Sequence, residues 1–179
     1  MTSSPSTDET GAVTGMEVYE DLRRRAQAAI DEGRFEAALQ LDDAAWRSIQ
    51  GRCDPVFEDR AFLNRSASLI SLGRGDEALA QIREILVRNL DPVNCRLAAY
   101  NIARIYEYRK ENKKGLFYAR IAKSWLDNSE LPDPNRIAAV RNQIGNFLLA
   151  ESQFDEAIAE YQAALEVAPD AAELRKALT

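Results

Sequence analysis

Small residues recur along the chain at one fixed offset. Ala26 and Ala38, Ser66 and Ala78, Ala103 and Gly115, and Gly145 and Ala157 form four pairs whose members lie 12 residues apart. Seven residues beyond each second member stand Ala45, Ile85, Ala122 and Ala164, two helical turns along the same face. Helices approach closely only where the side chains between them are small. A constant offset centred on a short turn therefore predicts two antiparallel helices touching at each pair. Gly33 and Gly73 fall where the first helix of a pair must end, as a C-terminal glycine cap requires, and Ser152 takes the matching place in the fourth pair. Asp54-Pro55, Asp91-Pro92 and Asp133-Pro134 each offer a carboxylate N-cap followed by proline at the first helical position. The pattern predicts helices near 16–32, 35–49, 55–72, 75–90, 92–110, 112–127, 134–151 and 154–167, with a ninth from about 170.

Composition agrees with an all-helical chain. Of 179 residues, 46% are apolar and 29% charged, with 8 Gly and 6 Pro, too few turn residues for a β sandwich. The net charge of −6 argues against wholesale nucleic-acid binding. Apolar runs such as Phe147 to Ala150 stop at four residues, far short of the ~20 needed to cross a bilayer. Cys53 and Cys95 read as small buried residues in a reducing cytosol, which predicts a cytoplasmic protein. Residues 1–15 contain no Lys or Arg and no apolar stretch, so they resemble no targeting peptide and are expected to form a disordered lead-in.

In the fourth unit Ile144-Gly145, Leu148, Ala157, Tyr161 and Pro169 reproduce an L-G-x₂-Y, A-x₃-F, P pattern. Phe35-Glu36-Ala37-Ala38 and Phe154-Asp155-Glu156-Ala157 repeat one second-helix opening, and Asn64-Arg65-Ser66-Ala67 matches a first helix. On these residues the chain resembles the tetratricopeptide repeat (TPR) family over about 16–169. The resemblance implies an all-α, right-handed superhelix of antiparallel helix pairs at about 16–50, 55–90, 92–128 and 134–169. Residues 170–179 would then be a C-terminal capping helix or the start of a further repeat, carrying an apolar stripe of Ala171, Leu174 and Leu178. The spacing departs from the family: Ala38, Ala78, Gly115 and Ala157 are 40, 37 and 42 residues apart, against a period of about 34. An unrelated antiparallel bundle is the alternative, and it leaves four identical offsets to chance.

In such a stack the first helices line the concave side, and polar residues recur on them. Asn64, Asn101 and Gln143 stand two positions before the small residue, with Arg24 in the first unit. Gln27, Ala67, Arg104 and Asn146 follow it by one, and Arg23, Leu63, Tyr100 and Asn142 precede it by three. A row of carboxamides can pair with the main chain of an extended peptide, because each supplies donors and an acceptor together. The same groups could equally be solvated or bond neighbouring loops. The expected partner-binding residues are thus Arg23, Asn64, Tyr100, Asn101, Arg104, Asn142, Gln143 and Asn146. Compared with the family's carboxylate clamp, Arg23 keeps a charge, Gln27 keeps an amide and Asn64 matches, but Leu97 and Asn101 stand where two cations belong. Similarity is better to asparagine-lined TPR receptors for short peptides, through Asn64, Asn101, Asn142 and Asn146.

Charge adds a second feature. Between Arg104 and Lys123 seven basic residues face only Glu107 and Glu111, whereas residues 151–179 hold seven acids against Arg175 and Lys176. The third unit could attract an acidic partner, with Tyr106, Tyr108 and Tyr118 as contact area; the alternative is a solvated turn with its tyrosines in the core. Trp46 and Trp125 are expected in the core. Catalysis is not expected: there is no histidine, no phosphate-cradling glycine loop, and Asp42, Asp43, Glu156 and Glu160 lie on faces predicted to meet solvent. The reading is a non-catalytic protein- or peptide-binding module without cofactor or metal. Alternatives are a scaffold that self-assembles through its terminal hairpins and a receptor for an acidic ligand.

Overall fold

Asp54, Asp91 and Asp133 each accept a hydrogen bond from the backbone N–H of a first-turn residue (Val56, Asn94 and Asn135, at 2.8 to 2.9 Å), and each is followed by a proline that opens a helix. The structure is a computed structural model that describes residues 9–128 and 133–168, with side chains from residue 15 onward. Its helices are α1 (Glu9–Asp31), α2 (Phe35–Ile49), α3 (Pro55–Ser71), α4 (Leu79–Arg88), α5 (Pro92–Tyr108), α6 (Asn112–Asp127), α7 (Pro134–Ala150) and α8 (Phe154–Val167). A 3₁₀ turn at Gly75–Glu77 precedes α4, and no strand occurs among the described residues. No described helix is long and apolar enough to cross a membrane.

Two boundaries differ from expectation. α1 begins at Glu9, so residues 9–15 are helical rather than part of a disordered lead-in. Their propensity is poor, but Gly15 lies against α2, its carbonyl accepting from Ser48 Oγ at 3.4 Å, and packing extends the helix where propensity would not. The predicted helix over 75–90 is divided and shortened. Gly75 and Asp76 support only a 3₁₀ turn, and left-handed Asn89 (φ 51°) ends α4, its N–H reaching the Ile85 carbonyl. The ninth helix, from about 170, lies outside the described residues.

The turns that follow α1, α3, α5 and α7 share one geometry. Seven residues after the first small residue of each pair comes a left-handed residue: Gly33, Gly73, Lys110 and Ser152, with φ between 59° and 72°. Its N–H bonds the carbonyl three residues back, and the next N–H bonds the carbonyl five back, as in Arg34 to Ala29 and Gln153 to Leu148 (2.8 and 2.9 Å). This double bond pattern satisfies two carbonyls that the ending helix leaves open. It also fixes the 12-residue offset, because the second helix starts two residues after the left-handed one in three of the four turns.

The chain divides into two compact units, residues 1–75 and 76–179; the division falls within the expected second pair. In the first unit α1 packs on α2 and α2 on α3. Its core gathers Tyr19, Ala45, Ile49 and Ala61, with Trp46, Cys53 and Phe57 partly covered. In the second, each of α4 to α7 packs on the helix that follows it, around a core that includes Ala103, Ala119, Val140, Ile144, Phe147 and Tyr161.

The eight small residues are all buried, as are Ala45, Ile85, Ala122 and Ala164. Two of them show what the smallness is for. A methyl on Gly145 would lie 2.5 Å from Cε1 of Tyr161, inside the α7–α8 pair. One on Gly115 would collide with the Phe147 ring, across from α6 to α7 of the next pair. Small residues therefore close both the pairs and the joints between pairs.

Gly115→Ala and Gly145→Ala should each lower stability by about 1–2 kcal/mol in urea unfolding. Overpacking against rings that are almost fully buried costs roughly 1–3 kcal/mol, which outweighs the ~1 kcal/mol of helix propensity that Ala adds. A second expectation concerns alkali. Burial pushes the Tyr19, Tyr100 and Tyr161 phenols above the usual 10.0, opposed at Tyr19 by the Asn64 hydrogen bond and at Tyr100 by Arg104, and reinforced at Tyr161 by Glu107. The folded state thus favours the protonated phenols. Their contribution is complete below about pH 10 and is lost as pH rises through the folded-state values. Urea midpoints should fall above that pH, and phenolate absorbance of the native protein should rise later than in urea.

Candidate functional site

The first helices carry every expected binding residue, but the structure divides these into two groups that face different tasks. In the first unit Arg23 of α1 forms an ion pair with Asp42 of α2, and Ser68 Oγ of α3 donates to the same carboxylate at 2.6 Å. Asp42 is 1% exposed, and the guanidinium and hydroxyl that meet its carboxylate are the partners that such burial requires. The expectation that Asp42 meets solvent is therefore corrected. It stands four residues beyond Ala38, the place that Ile82, Ala119 and Tyr161 fill with buried groups in the other pairs. Asp43 pairs with Arg65, whose guanidinium lies 5.6 Å from the centre of the Trp46 ring. Asn64 hydrogen-bonds the Tyr19 hydroxyl. Arg23 and Asn64 thus tie α1, α2 and α3 together.

In the second unit Tyr100, Arg104, Glu107 and Tyr108 recur along one face of α5. Arg104, Glu107 and Tyr108 line a cavity of about 390 Å³ with Lys110, which the left-handed turn delivers to its rim. Tyr108 is more than half exposed, so it offers an aromatic surface that the core does not use. Glu107 also neighbours the buried Tyr100 and Tyr161 phenols. Asn101, one residue along from Tyr100, is buried and engaged inside the fold.

On α7 Asn142 is half-buried, and Asn146 Oδ1 accepts a 2.8 Å hydrogen bond from the Tyr161 hydroxyl. That bond seats the ring that covers Gly145. Gln143 lies between them on the helix, 4% exposed, and neither its Nε2 nor its Oε1 forms a hydrogen bond. A buried carboxamide without a partner is costly, at roughly 1–3 kcal/mol for each polar atom lost to water, and native structures hold few. Nearby, Arg141 is spent on Glu160 of α8 at 2.9 Å.

Three of the seven cations of the basic third pair are paired locally. Arg109 bonds Asp76 at 2.7 Å, Lys114 pairs with Glu111, and Lys123 reaches Asp127 at 3.0 Å. Arg109 and Lys114 both also lie over the Tyr106 ring, at 5.6 and 5.5 Å. Tyr106 is buried and stacked on Tyr118, so of the three tyrosines only Tyr108 faces outward. Trp46 and Trp125 are half-buried rather than wholly in the core. Cys95 is buried as expected, whereas Cys53 is half-buried, and burial followed by Glu58 and Asp54 pushes its thiol up, away from nucleophilic reactivity.

Two contributors are not visible in the residue types. Lys110 carries no turn signal in its side chain, yet its position seven beyond Ala103 matches Gly33, Gly73 and Ser152. Glu107 could have been found from its spacing to Tyr100 on the same helical face. No cluster of three carboxylates or thiols that could hold a metal occurs among the described residues. Compared with models of known protein families the chain matches none, and a search of curated proteins finds no match.

Proposed function

We propose that this chain is a tetratricopeptide-like module, a right-handed superhelix of helix pairs, that binds an extended segment of a partner protein and performs no catalysis. Four features support the repeat: the buried small residues, their constant offset, the shared left-handed turn, and the L-G-x₂-Y, A-x₃-F residues of the fourth pair. The binding face is that of α5 and α7. There Arg104 and Asn142 are partly exposed, and Tyr108 adds an aromatic surface beside the cavity.

One observation carries the reading: the unbonded carboxamide of Gln143. Its N–H and carbonyl together match the donor and acceptor of a peptide unit, and because both atoms are covered in the free chain, an extended strand would satisfy them by displacing the side chains above them. Asn142 and Arg104 would add polar contacts along the same strand. The lack of histidine leaves no imidazole base for catalysis.

Gln143→Leu separates this reading from a merely structural one. Removing two unsatisfied atoms should raise stability by about 1–3 kcal/mol in urea unfolding. Affinity for peptides selected against the unaltered protein, read by fluorescence anisotropy, should fall at least tenfold. A variant that gains stability and keeps its affinity would refute the proposal.

A further inference from the structure

Three of the left-handed residues that end a first helix are small, Gly33, Gly73 and Ser152; the fourth is Lys110, at φ 59°. A lysine is strained in that conformation and a glycine is not, so the turn itself gives no reason for the residue. Nor does the fold use its charge. Among the described residues the Lys110 side chain has no ion pair, hydrogen bond or ring contact, whereas its neighbour Arg109 bonds Asp76 and Lys114 pairs with Glu111. What the turn does achieve is placement. It sets the ammonium at the rim of the cavity of about 390 Å³ that Arg104, Glu107 and Tyr108 also line. Strain of this kind is retained where a ligand, rather than the fold, makes use of it.

We propose that this cavity seats the side-chain carboxylate of an aspartate or glutamate in the bound segment, with Lys110 and Arg104 as its cations. The proposal rests on the peptide-binding reading and adds to it the chemistry of the partner. Arg104 also has a partner within the fold, so the site depends chiefly on Lys110. The lining carries two positive charges and one negative. A carboxylate therefore balances it, whereas a phosphate dianion would leave an excess of negative charge against Glu107. Bonds from an ammonium or guanidinium to a carboxylate are about twice as strong as neutral ones, which suits an anchor on an otherwise extended strand. Tyr108, more than half exposed, offers its ring to the methylenes that carry the carboxylate. The site is not the family's carboxylate clamp, whose two cationic places hold Leu97 and Asn101. It lies instead at the turn that ends α5.

The test uses the full chain and peptides selected against it from a random-sequence display library, with affinities read by fluorescence anisotropy. The selected peptides are expected to share an acidic residue whose replacement by its amide weakens binding at least fivefold. Lys110→Gly should weaken the acidic peptides by a similar factor and leave their amide versions unchanged, so the two changes are not additive. The same variant should raise the urea midpoint, because glycine relieves the left-handed turn, whereas affinity lost through damage to the fold would come with a lower midpoint. Lys110→Arg should recover most of the affinity that Lys110→Gly loses. Phosphoserine in place of the acidic residue should bind no more tightly. The proposal is overturned if Lys110→Gly weakens acidic and amide peptides alike, or weakens neither, or if the phosphoserine peptide binds at least tenfold tighter, which would make phosphate the ligand. Peptides that depend on Gln143 but not on Lys110 overturn it and leave the peptide-binding reading intact. Peptides that depend on neither residue, or a selection that yields none, overturn both.

Discussion

The fold depends on how near one helix can come to the next. Where Gly145 faces Tyr161 and Gly115 faces Phe147, the glycine leaves no side chain at all, and an aromatic ring fills the space against bare backbone. Dispersion is gained only at contact distance, so each ring gains at its glycine what a loosely crossed pair would forfeit. The left-handed turns serve the same constraint. By ending α1, α5 and α7 seven residues after their small positions, they return the chain at the level where the second small residue of each of those pairs can meet the first. A turn one residue longer would rotate the second helix by about 100° and carry that residue off the contact face.

That constraint is legible in the amino acids because it acts locally. Three helices have the bounds that spacing predicts, α2, α6 and α8, and all three acidic caps bond first-turn N–H groups. Lys110 escapes a reading by residue type for a physical reason. A left-handed lysine costs roughly 1–2 kcal/mol, so composition disfavours it, yet two backbone hydrogen bonds at the turn hold it there. α1 begins early because Gly15 packs against α2, a contact 33 residues distant in sequence. Non-local packing of that kind leaves no trace in periodicity.

The polar residues are harder to read than the small ones. An acid at position 42 suggests solvent by residue type, whereas the repeat register assigns it an inward place. The structure obeys the register, and Arg23 and Ser68 supply the charge and hydroxyl that make the place tolerable. Those partners are 19 residues before and 26 after Asp42, so only three-dimensional packing unites them. Arg23 resembles a ligand contact for the complementary reason: a cation on a first helix is visible in the sequence, and the acid that consumes it is not.

The same distinction separates the amides from one another. Asn64, Asn101 and Gln143 hold equivalent places two residues before the small position, so periodicity treats them alike. Their neighbours do not. Asn64 has the Tyr19 hydroxyl and Asn101 is engaged within the core, while Gln143 is enclosed by a core that bonds neither of its polar atoms. A fold selected for stability alone would replace such a residue with leucine, since the apolar side chain fills similar space without a desolvation cost. Of the three amides at this place only Gln143 bears that cost, in the same unit as the cavity that Arg104 and Tyr108 line on α5. An uncompensated group is most readily understood where something outside the fold completes it, which favours a binding role for the second unit rather than one spread evenly along the repeats.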